Sequence, residues 1–161
     1  MVENGPLMMP IGRRVLNESC RIAANLPPHG RATAPPAVYI NISGRQLETG
    51  NLRDDVLHAL RMSNLPASRL VLEITETTTP LLAGSLVDDI QELRQRGVRF
   101  AIDDLGTGYS SLTRLTELPV DILKIDRSFT AQIGRSTTVD AVVKAILSIA
   151  ETLQFTVVAE G

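Results

Sequence analysis

The sequence predicts an α/β protein built on a parallel sheet. Short apolar runs rich in β-branched residues alternate with longer amphipathic segments along the whole chain, which is the order of repeated βα units. The short runs are apolar throughout, as expected of strands covered on both faces. No Pro/Gly/Ser-rich linker divides the 161 residues into two parts. About five βα units are compatible with a Rossmann-like sheet or with part of a (β/α)8 barrel, and both alternatives stay open here.

Helices are predicted where apolar residues recur at intervals of three and four. In the first helix, residues 7–26, the expected inner face consists of Ile11, Val15, Leu16, Ile22 and Leu26. Equivalent spacing predicts helices over residues 51–63, 81–96 and 136–153. Gly97 has the position expected of a helix C-terminus, and Ser136 or Thr137 could cap the last helix. Leu112 and Leu115 suggest a short helix before Pro119.

Five short runs have the length and composition of buried strands. They are residues 37–42, 70–75, 98–103, 120–125 and 155–159. Each predicted strand except the last is followed by a predicted helix, and we therefore expect the strands to be parallel.

Composition excludes several classes of protein. The net charge is −2 without a basic block, so no DNA or RNA polymer is expected as a partner. No apolar run approaches the roughly 20 residues that span a bilayer, and the N-terminus lacks the pattern of a signal peptide. Cys20, the one cysteine, is interpreted as a small core residue rather than a nucleophile. We expect a cytoplasmic domain, and a membrane anchor elsewhere in a longer parent protein stays open.

Asp103 and Asp104 end the third predicted strand. Two adjacent carboxylates at the end of a buried strand repel each other, and a divalent cation would compensate them. The alternative is that they only begin a turn. The Gly106–Thr107–Gly108 segment that follows lacks the Lys-Ser/Thr of a P-loop and the spacing of a dinucleotide fingerprint.

Every predicted strand ends on a polar residue: Asn41, Glu73, Asp103 with Asp104, Lys124 and Glu160. Taken singly, Asn41 could be a turn residue and Glu160 a loop acid. Glu73 could pair with an arginine of a helix, and Lys124 could extend to the surface. In a parallel α/β fold, however, the carboxyl ends of all strands lie on one side, where active sites form. The joint occurrence favours a site for one or two hard cations and an anionic substrate.

Five ordered motifs closely resemble the EAL domain family. They are NISGRQL at 41–47, LEITE at 72–76, DDLGTGYSSL at 103–112, LPVDILKID at 118–126 and VVAEG at 157–161. The resemblance implies a TIM-type barrel and a bacterial signalling phosphodiesterase. Such an enzyme hydrolyses cyclic di-GMP to the linear dinucleotide pGpG with Mg²⁺ or Mn²⁺.

The resemblance also implies a role for each strand-end residue. Asn41, Glu73 and Asp103 would bind a first metal ion, and Asp103 with Asp104 would bind a second. Lys124 would contact the phosphate or the attacking water, and Glu160 would orient or deprotonate that water. Glu76 would brace the loop from Leu105 to Ser111, which in the family links the metal site to a dimer interface. The expected partners are cyclic di-GMP, a second copy of the domain, and sensor or cyclase domains in the parent.

Two departures from the family pattern shape the expectation. The Glu-Ala-Leu segment that names the family is absent, as are the strand with a late active-site glutamine and the final helices. Residues 1–161 are therefore expected to be a partial EAL domain covering roughly strands 3 to 7. Leu105 stands where the family usually has phenylalanine. We therefore expect this fragment alone to be inactive. The alternatives are a degenerate EAL domain that binds cyclic di-GMP or a protein without hydrolysis, and an unrelated metal-dependent α/β hydrolase.

Overall fold

The five predicted strands form a single parallel sheet. The computed structural model describes residues 7–30, 34–48, 51–105 and 118–161, so the short helix expected before Pro119 and the glycine turn after Leu105 lie outside the described residues. The strands are β1 (Val38–Asn41), β2 (Leu70–Thr75), β3 (Arg99–Leu105), β4 (Ile122–Ile125) and β5 (Thr156–Ala159). They pair in chain order, β1-β2-β3-β4-β5, and every pair is parallel.

Helices follow β1, β2 and β4. The helices of the described part are α1 (Met8–Ala24), α2 (Gly44–Glu48), α3 (Leu52–Ser63), α4 (Ser85–Gln95), α5 (Arg127–Thr130) and α6 (Thr137–Thr152), with 3₁₀ turns at Ala67–Arg69 and Glu76–Leu81. Ser136 caps α6, since its side chain accepts a hydrogen bond from the amide of Val139. None of the described helices is long and apolar enough to cross a membrane.

The two faces of the sheet differ in what packs against them. On one face, strand residues such as Leu72, Ile102 and Leu123 share one buried cluster with residues of α1, α3, α4 and α6. On the other face a second, smaller cluster contains Val71, Ala101 and Ile122. Helices on one face and strands in unbroken chain order are the arrangement of a (β/α)8 barrel, whereas a doubly wound sheet has helices on both faces. The unclosed five-stranded sheet is thus part of a barrel.

The side chain of Asp121 fixes the register between β3 and β4 at the amino end of the sheet. It forms an ion pair with Arg94 of α4, with 2.6 Å between Nη2 and Oδ1, and accepts a hydrogen bond of 2.9 Å from the amide of Phe100. The amide of Asp121 donates in turn to the carbonyl of Phe100 at 2.9 Å. These contacts hold the amino ends of the two strands side by side, where Ala101 pairs with Ile122.

The predicted inner face of α1 is wrong in most positions. Leu16, Cys20 and Ala23 are the buried residues of this helix, while Ile11, Val15, Ile22 and Leu26 are 43–50% exposed. Leu16, Cys20 and Ala23 share one buried cluster with Val56 and Ala59 of α3, so the stripe of α1 that packs is not the most apolar one. Burial raises the pKa of the Cys20 thiol to about 11, in agreement with the interpretation as a core residue.

The fourth helix begins later than the apolar spacing predicts. The regularly spaced apolar residues Leu82, Leu86, Ile90 and Leu93 are buried, but α4 starts at Ser85 rather than near residue 81, so Leu82 lies outside it. Residues 76–81 form a 3₁₀ turn instead, and Gly84 follows with a φ of +58°, a conformation that interrupts a right-handed helix. Leu81 therefore belongs to the connection after β2.

Candidate active site at the carboxyl edge of the sheet

Strand alternation places four predicted site residues on the face away from the helices. Glu73 lies between Leu72 and Ile74, which both belong to the helix-side core, so its side chain points to the opposite face. The same argument applies to Asp103, which follows Ile102, and to Lys124, which precedes Ile125. Glu160 follows the last residue of β5. All four lie at the carboxyl ends of their strands.

Three of these carboxylates converge on the ammonium of Lys124. Its Nζ lies 2.6 Å from Oε1 of Glu73, 2.9 Å from Oδ1 of Asp103 and 2.6 Å from Oε1 of Glu160. The Lys124 side chain is 11% exposed and that of Glu73 is 7% exposed. Within the described part of the chain, Glu73 therefore pairs with Lys124 and not with an arginine of a helix, and Lys124 points into the cluster rather than to the surface.

A bulge in β3 places Asp103 and Asp104 together opposite Lys124. Ile102 pairs with Leu123 and Leu105 pairs with Ile125, so two residues of β3 face one residue of β4. Asp104 has a φ of +57°, a left-handed conformation that aspartate tolerates better than most residues. Its amide donates a 3.0 Å hydrogen bond to Oδ1 of Asp103. The bulge interrupts strand alternation at the two carboxylates.

The electrostatics of the cluster follow from crowding. Burial is the largest influence on Lys124 and disfavours its charged form, but hydrogen bonds to Glu160, Glu73 and Asp103 outweigh it and raise the pKa of Lys124. The pKa of Asp104 is also raised, first by burial and then by the charges of Asp103, Asp126 and Glu160, while Lys124 acts in the opposite direction. Negative charge exceeds positive charge around Asp104.

The remaining predicted residues are less directly placed. Asn41 is the last residue of β1 and pairs in register with Glu73, so it extends the row of polar strand ends by one strand. Glu76 is buried in the 3₁₀ turn after β2, and its carbonyl accepts a hydrogen bond from the Thr79 hydroxyl. The loop that Glu76 is expected to brace lies beyond Leu105, outside the described residues, so this role stays a prediction.

The chemistry of the donors suits a hard divalent cation. Asp103, Asp104 and Glu160 each offer a carboxylate oxygen, and these oxygens lie within 4.8 Å of one another. Glu73 shares its ion-pair partner, Lys124, with Asp103 and Glu160 of this group. Four carboxylates around one ammonium leave an excess of negative charge that Mg²⁺, Mn²⁺ or Ca²⁺ would compensate through oxygen ligands.

Two residues near the site were not found from the sequence. Asp126 directly follows β4 and caps α5, and its charge contributes to the raised pKa of Asp104. As a polar residue at a strand end, it carried the signal that identified the others. Thr130 of α5 donates a hydrogen bond to the carbonyl of Glu160. No spacing or composition around Thr130 indicates that contact, because it joins residues 30 positions apart.

Replacing Lys124 by methionine should destabilise the fold, because Lys124 neutralises carboxylates that would then lack a counter-charge. The free energy of unfolding should fall by about 2–3 kcal/mol, because Glu73 and Asp103 keep their burial but lose their counter-charge. Urea unfolding followed by circular dichroism measures the loss. Lys144→Met on the exposed side of α6 is the matched control and should change stability by less than about 0.5 kcal/mol. Equal losses in the two variants would contradict the charge-compensation account.

The sheet is that of an open (β/α) barrel, and several carboxylates and Lys124 lie at its carboxyl edge. These features define a class of barrel proteins whose site suits cations and anionic substrates. The model of the EAL domain family matches residues 1–161, and the chain belongs to this family.

Relatives of known name support this assignment. The bifunctional diguanylate cyclase/cyclic di-GMP phosphodiesterase MucR of Pseudomonas aeruginosa is 38% identical over 161 residues, 100% of this chain and 23% of MucR. The cyclic di-GMP phosphodiesterase NbdA of the same species is 40% identical over 147 residues, 91% of this chain and 18% of NbdA. The chain thus spans about a fifth of the length of these relatives.

Solved structures show the same fold. The PaMucR phosphodiesterase in complex with c-di-GMP superimposes with a TM-score of 0.81 at 36% identity, covering 96% of this chain and 62% of that one. The manganese/cy-diGMP complex of Klebsiella pneumoniae BlrP1 at pH 6 gives a TM-score of 0.77 at 29% identity, covering 98% of this chain and 39% of that one. The partial-barrel fold predicted from the sequence is therefore confirmed.

Proposed function

We propose that this chain supplies the central part of the active site of a metal-dependent phosphodiesterase, which hydrolyses cyclic di-GMP to pGpG in bacterial signalling. The observation that carries the proposal is the convergence of Glu73, Asp103 and Glu160 on Lys124 at the carboxyl edge of the sheet. Asp104 adds a fourth carboxylate through the bulge in β3. The names of the relatives MucR and NbdA, and the ligands of the PaMucR and BlrP1 complexes, support the same substrate.

Two divalent ions, Mg²⁺ or Mn²⁺, would be held by the predicted ligands. Asn41, Glu73 and Asp103 would hold one ion, and Asp103 with Asp104 would hold the other. Asp103 suits the shared position, because one of its carboxylate oxygens lies within 4.8 Å of an oxygen of Asp104 and of one of Glu160. When bound, such ions acidify water and stabilise the charge that develops on a phosphate. Oxygen donors and the excess of negative charge are consistent with this assignment.

Lys124 and Glu160 would act on the substrate side of the site. The ammonium of Lys124 would donate to a non-bridging oxygen of the phosphate and stabilise its charge. The carboxylate of Glu160 would accept a proton from the water whose oxygen bonds to phosphorus. The bond from phosphorus to the 3′ oxygen would break, and that oxygen would take up a proton from bulk water, to which Glu160 would later return the proton that it accepted. The product carries a 5′-phosphate and a 3′-hydroxyl and is the linear dinucleotide pGpG.

We further propose that the isolated 161-residue chain is inactive or nearly so. Within the described residues, β1 and β5 each pair with a strand on one side only, so both present open edges. In the intact barrel, further strands would complete the metal shell and hold β1 and β5 in place. Association into a homodimer, attached sensor or cyclase domains, and a cytoplasmic location belong to the same proposal for the parent protein.

The test is an assay of a completed barrel. The completed barrel is a chimera in which the whole chain replaces the matching segment of the PaMucR phosphodiesterase domain. Circular dichroism verifies that the chimera folds. With Mg²⁺ or Mn²⁺ it should convert cyclic di-GMP to pGpG, identified by mass spectrometry, and EDTA should stop the reaction. Binding of cyclic di-GMP without hydrolysis would instead support a non-catalytic binding module.

A metal titration of the 161-residue chain tests the ligands without requiring turnover. Mn²⁺ should raise its unfolding temperature, and Asp103→Asn should abolish that increase, because ligands that bind only the folded state stabilise it. An equal increase in both proteins would refute the assigned metal role of Asp103.

A further inference from the structure

The backbone of Glu160 is anchored on both sides of its Cα atom. Its amide donates a 3.1 Å hydrogen bond to the carbonyl of Ile125, which continues the pairing of β5 with β4. Its carbonyl accepts a hydrogen bond from the Thr130 hydroxyl, whose single hydrogen has a second, more distant acceptor in the carbonyl of Arg127 at 3.2 Å. Between these two contacts, the carboxylate lies 2.6 Å from the ammonium of Lys124.

Thr130 lies only a few residues after β4, the strand that carries Lys124. It is the last residue of α5, which begins two residues after β4 ends. Asp126 joins the two elements and caps α5, with its carboxylate accepting a 2.8 Å hydrogen bond from the amide of Ser128. One short unit therefore presents Lys124 to the side chain of Glu160 and Thr130 to its main chain.

The contact lies just beyond the regular pairing of β5. Glu160 follows the last residue of β5, and its amide continues the pairing with β4 through the carbonyl of Ile125. The Thr130 hydroxyl holds the next peptide, between residues 160 and 161, from the side of α5. Fixing both flanking peptides sets the direction of the Cα–Cβ bond of Glu160.

We propose that Thr130 is a positioning residue, which holds the backbone of Glu160 so that its carboxylate faces Lys124 and the attacking water. The inference rests on the proposed phosphodiester hydrolysis and adds to it a residue outside the strand-end set. A catalytic group must be held to within a fraction of an ångström of its productive position, so a loosened Glu160 slows the chemical step more than it weakens substrate binding.

The kinetic test compares Thr130→Val, which keeps the shape but loses the hydroxyl, with Thr130→Ser, which keeps the hydroxyl. In the completed barrel, the valine variant should lower kcat about tenfold, the loss expected from one hydrogen bond, and change KM less than about twofold. The serine variant should restore most of kcat. A fall in kcat with little change in KM, restored by serine, separates positioning from general stability, because a uniformly destabilised fold would not show that pattern.

The second test measures the contact itself in the 161-residue chain. The ¹³C chemical shift of the Glu160 carbonyl should change in Thr130→Val and stay near its original value in Thr130→Ser. An unchanged shift in the valine variant, or equal kcat in the valine variant and the unaltered barrel, would overturn the role of Thr130 alone. Absence of hydrolysis by the unaltered barrel would refute the proposed function itself, so the two failures are distinguishable.

Discussion

Asp103→Asn in the completed barrel is expected to lower the turnover of cyclic di-GMP at least about a thousandfold. The amide offers one neutral oxygen where the proposed shared ligand needs a charged group that reaches two cations. The expected loss lies in kcat and in the affinity for Mn²⁺, and both are measured by initial rates of pGpG release at increasing metal concentration.

The fold should tolerate this substitution. The oxygen of an asparagine side chain can still accept the hydrogen bonds that Oδ1 of Asp103 accepts from Lys124 and from the amide of Asp104. Urea unfolding should therefore show a change below about 1 kcal/mol. Asp88→Asn on the exposed face of α4 is the matched control and should leave turnover unchanged. Retained turnover in Asp103→Asn would refute the metal role of this residue.

Phe100→Ala should produce the largest loss of stability among single substitutions in the sheet. Phe100 is fully buried on the helix side of β3, and it is the largest such side chain in the described part of the chain. Truncation removes its apolar contacts and leaves a cavity, so the free energy of unfolding should fall by about 4 kcal/mol. The measurement is urea unfolding followed by circular dichroism.

A second phenylalanine serves as the comparison. Phe129 in α5 is only half-buried, so Phe129→Ala should cost about half as much or less. Similar losses in the two variants would contradict a core centred on the interface between β3 and the helices.

The strand-end residues were predictable because their pattern depends on chain order alone. Alternating βα units place the carboxyl ends of parallel strands on one side, whatever the details of packing. The convergence of Glu73, Asp103, Lys124 and Glu160 follows from that rule. Their chemical roles came from the family resemblance and remain proposals.

The face of α1 was not predictable from periodicity. Its apolar residues occupy more than one side of the helix, and the spacing of three and four fits more than one stripe. The side that packs depends on how closely a helix can approach its neighbours, and small residues such as Cys20 and Ala23 carry little hydrophobic signal. The buried face of α1 is therefore set by tertiary packing and not by the spacing of its apolar residues.

Two features of the site depend on backbone geometry that the sequence does not encode locally. The bulge at Asp103 and Asp104 requires a left-handed residue, and an Asp-Asp pair is equally compatible with an ordinary strand end or a turn. The Thr130 contact depends on how α5 leaves β4, since its acceptor lies 30 residues away. Both emerge only when β3, β4 and β5 are assembled.

The most direct test of the account is a crystal structure of the completed barrel with Mn²⁺ and cyclic di-GMP, recorded with anomalous scattering from manganese. We predict two anomalous peaks about 3.5–4 Å apart, with Asp103 coordinating both, Asp104 coordinating one, and Lys124 directed at the phosphate. Anomalous density with no peak within coordination distance of Asp103 would contradict the proposed site.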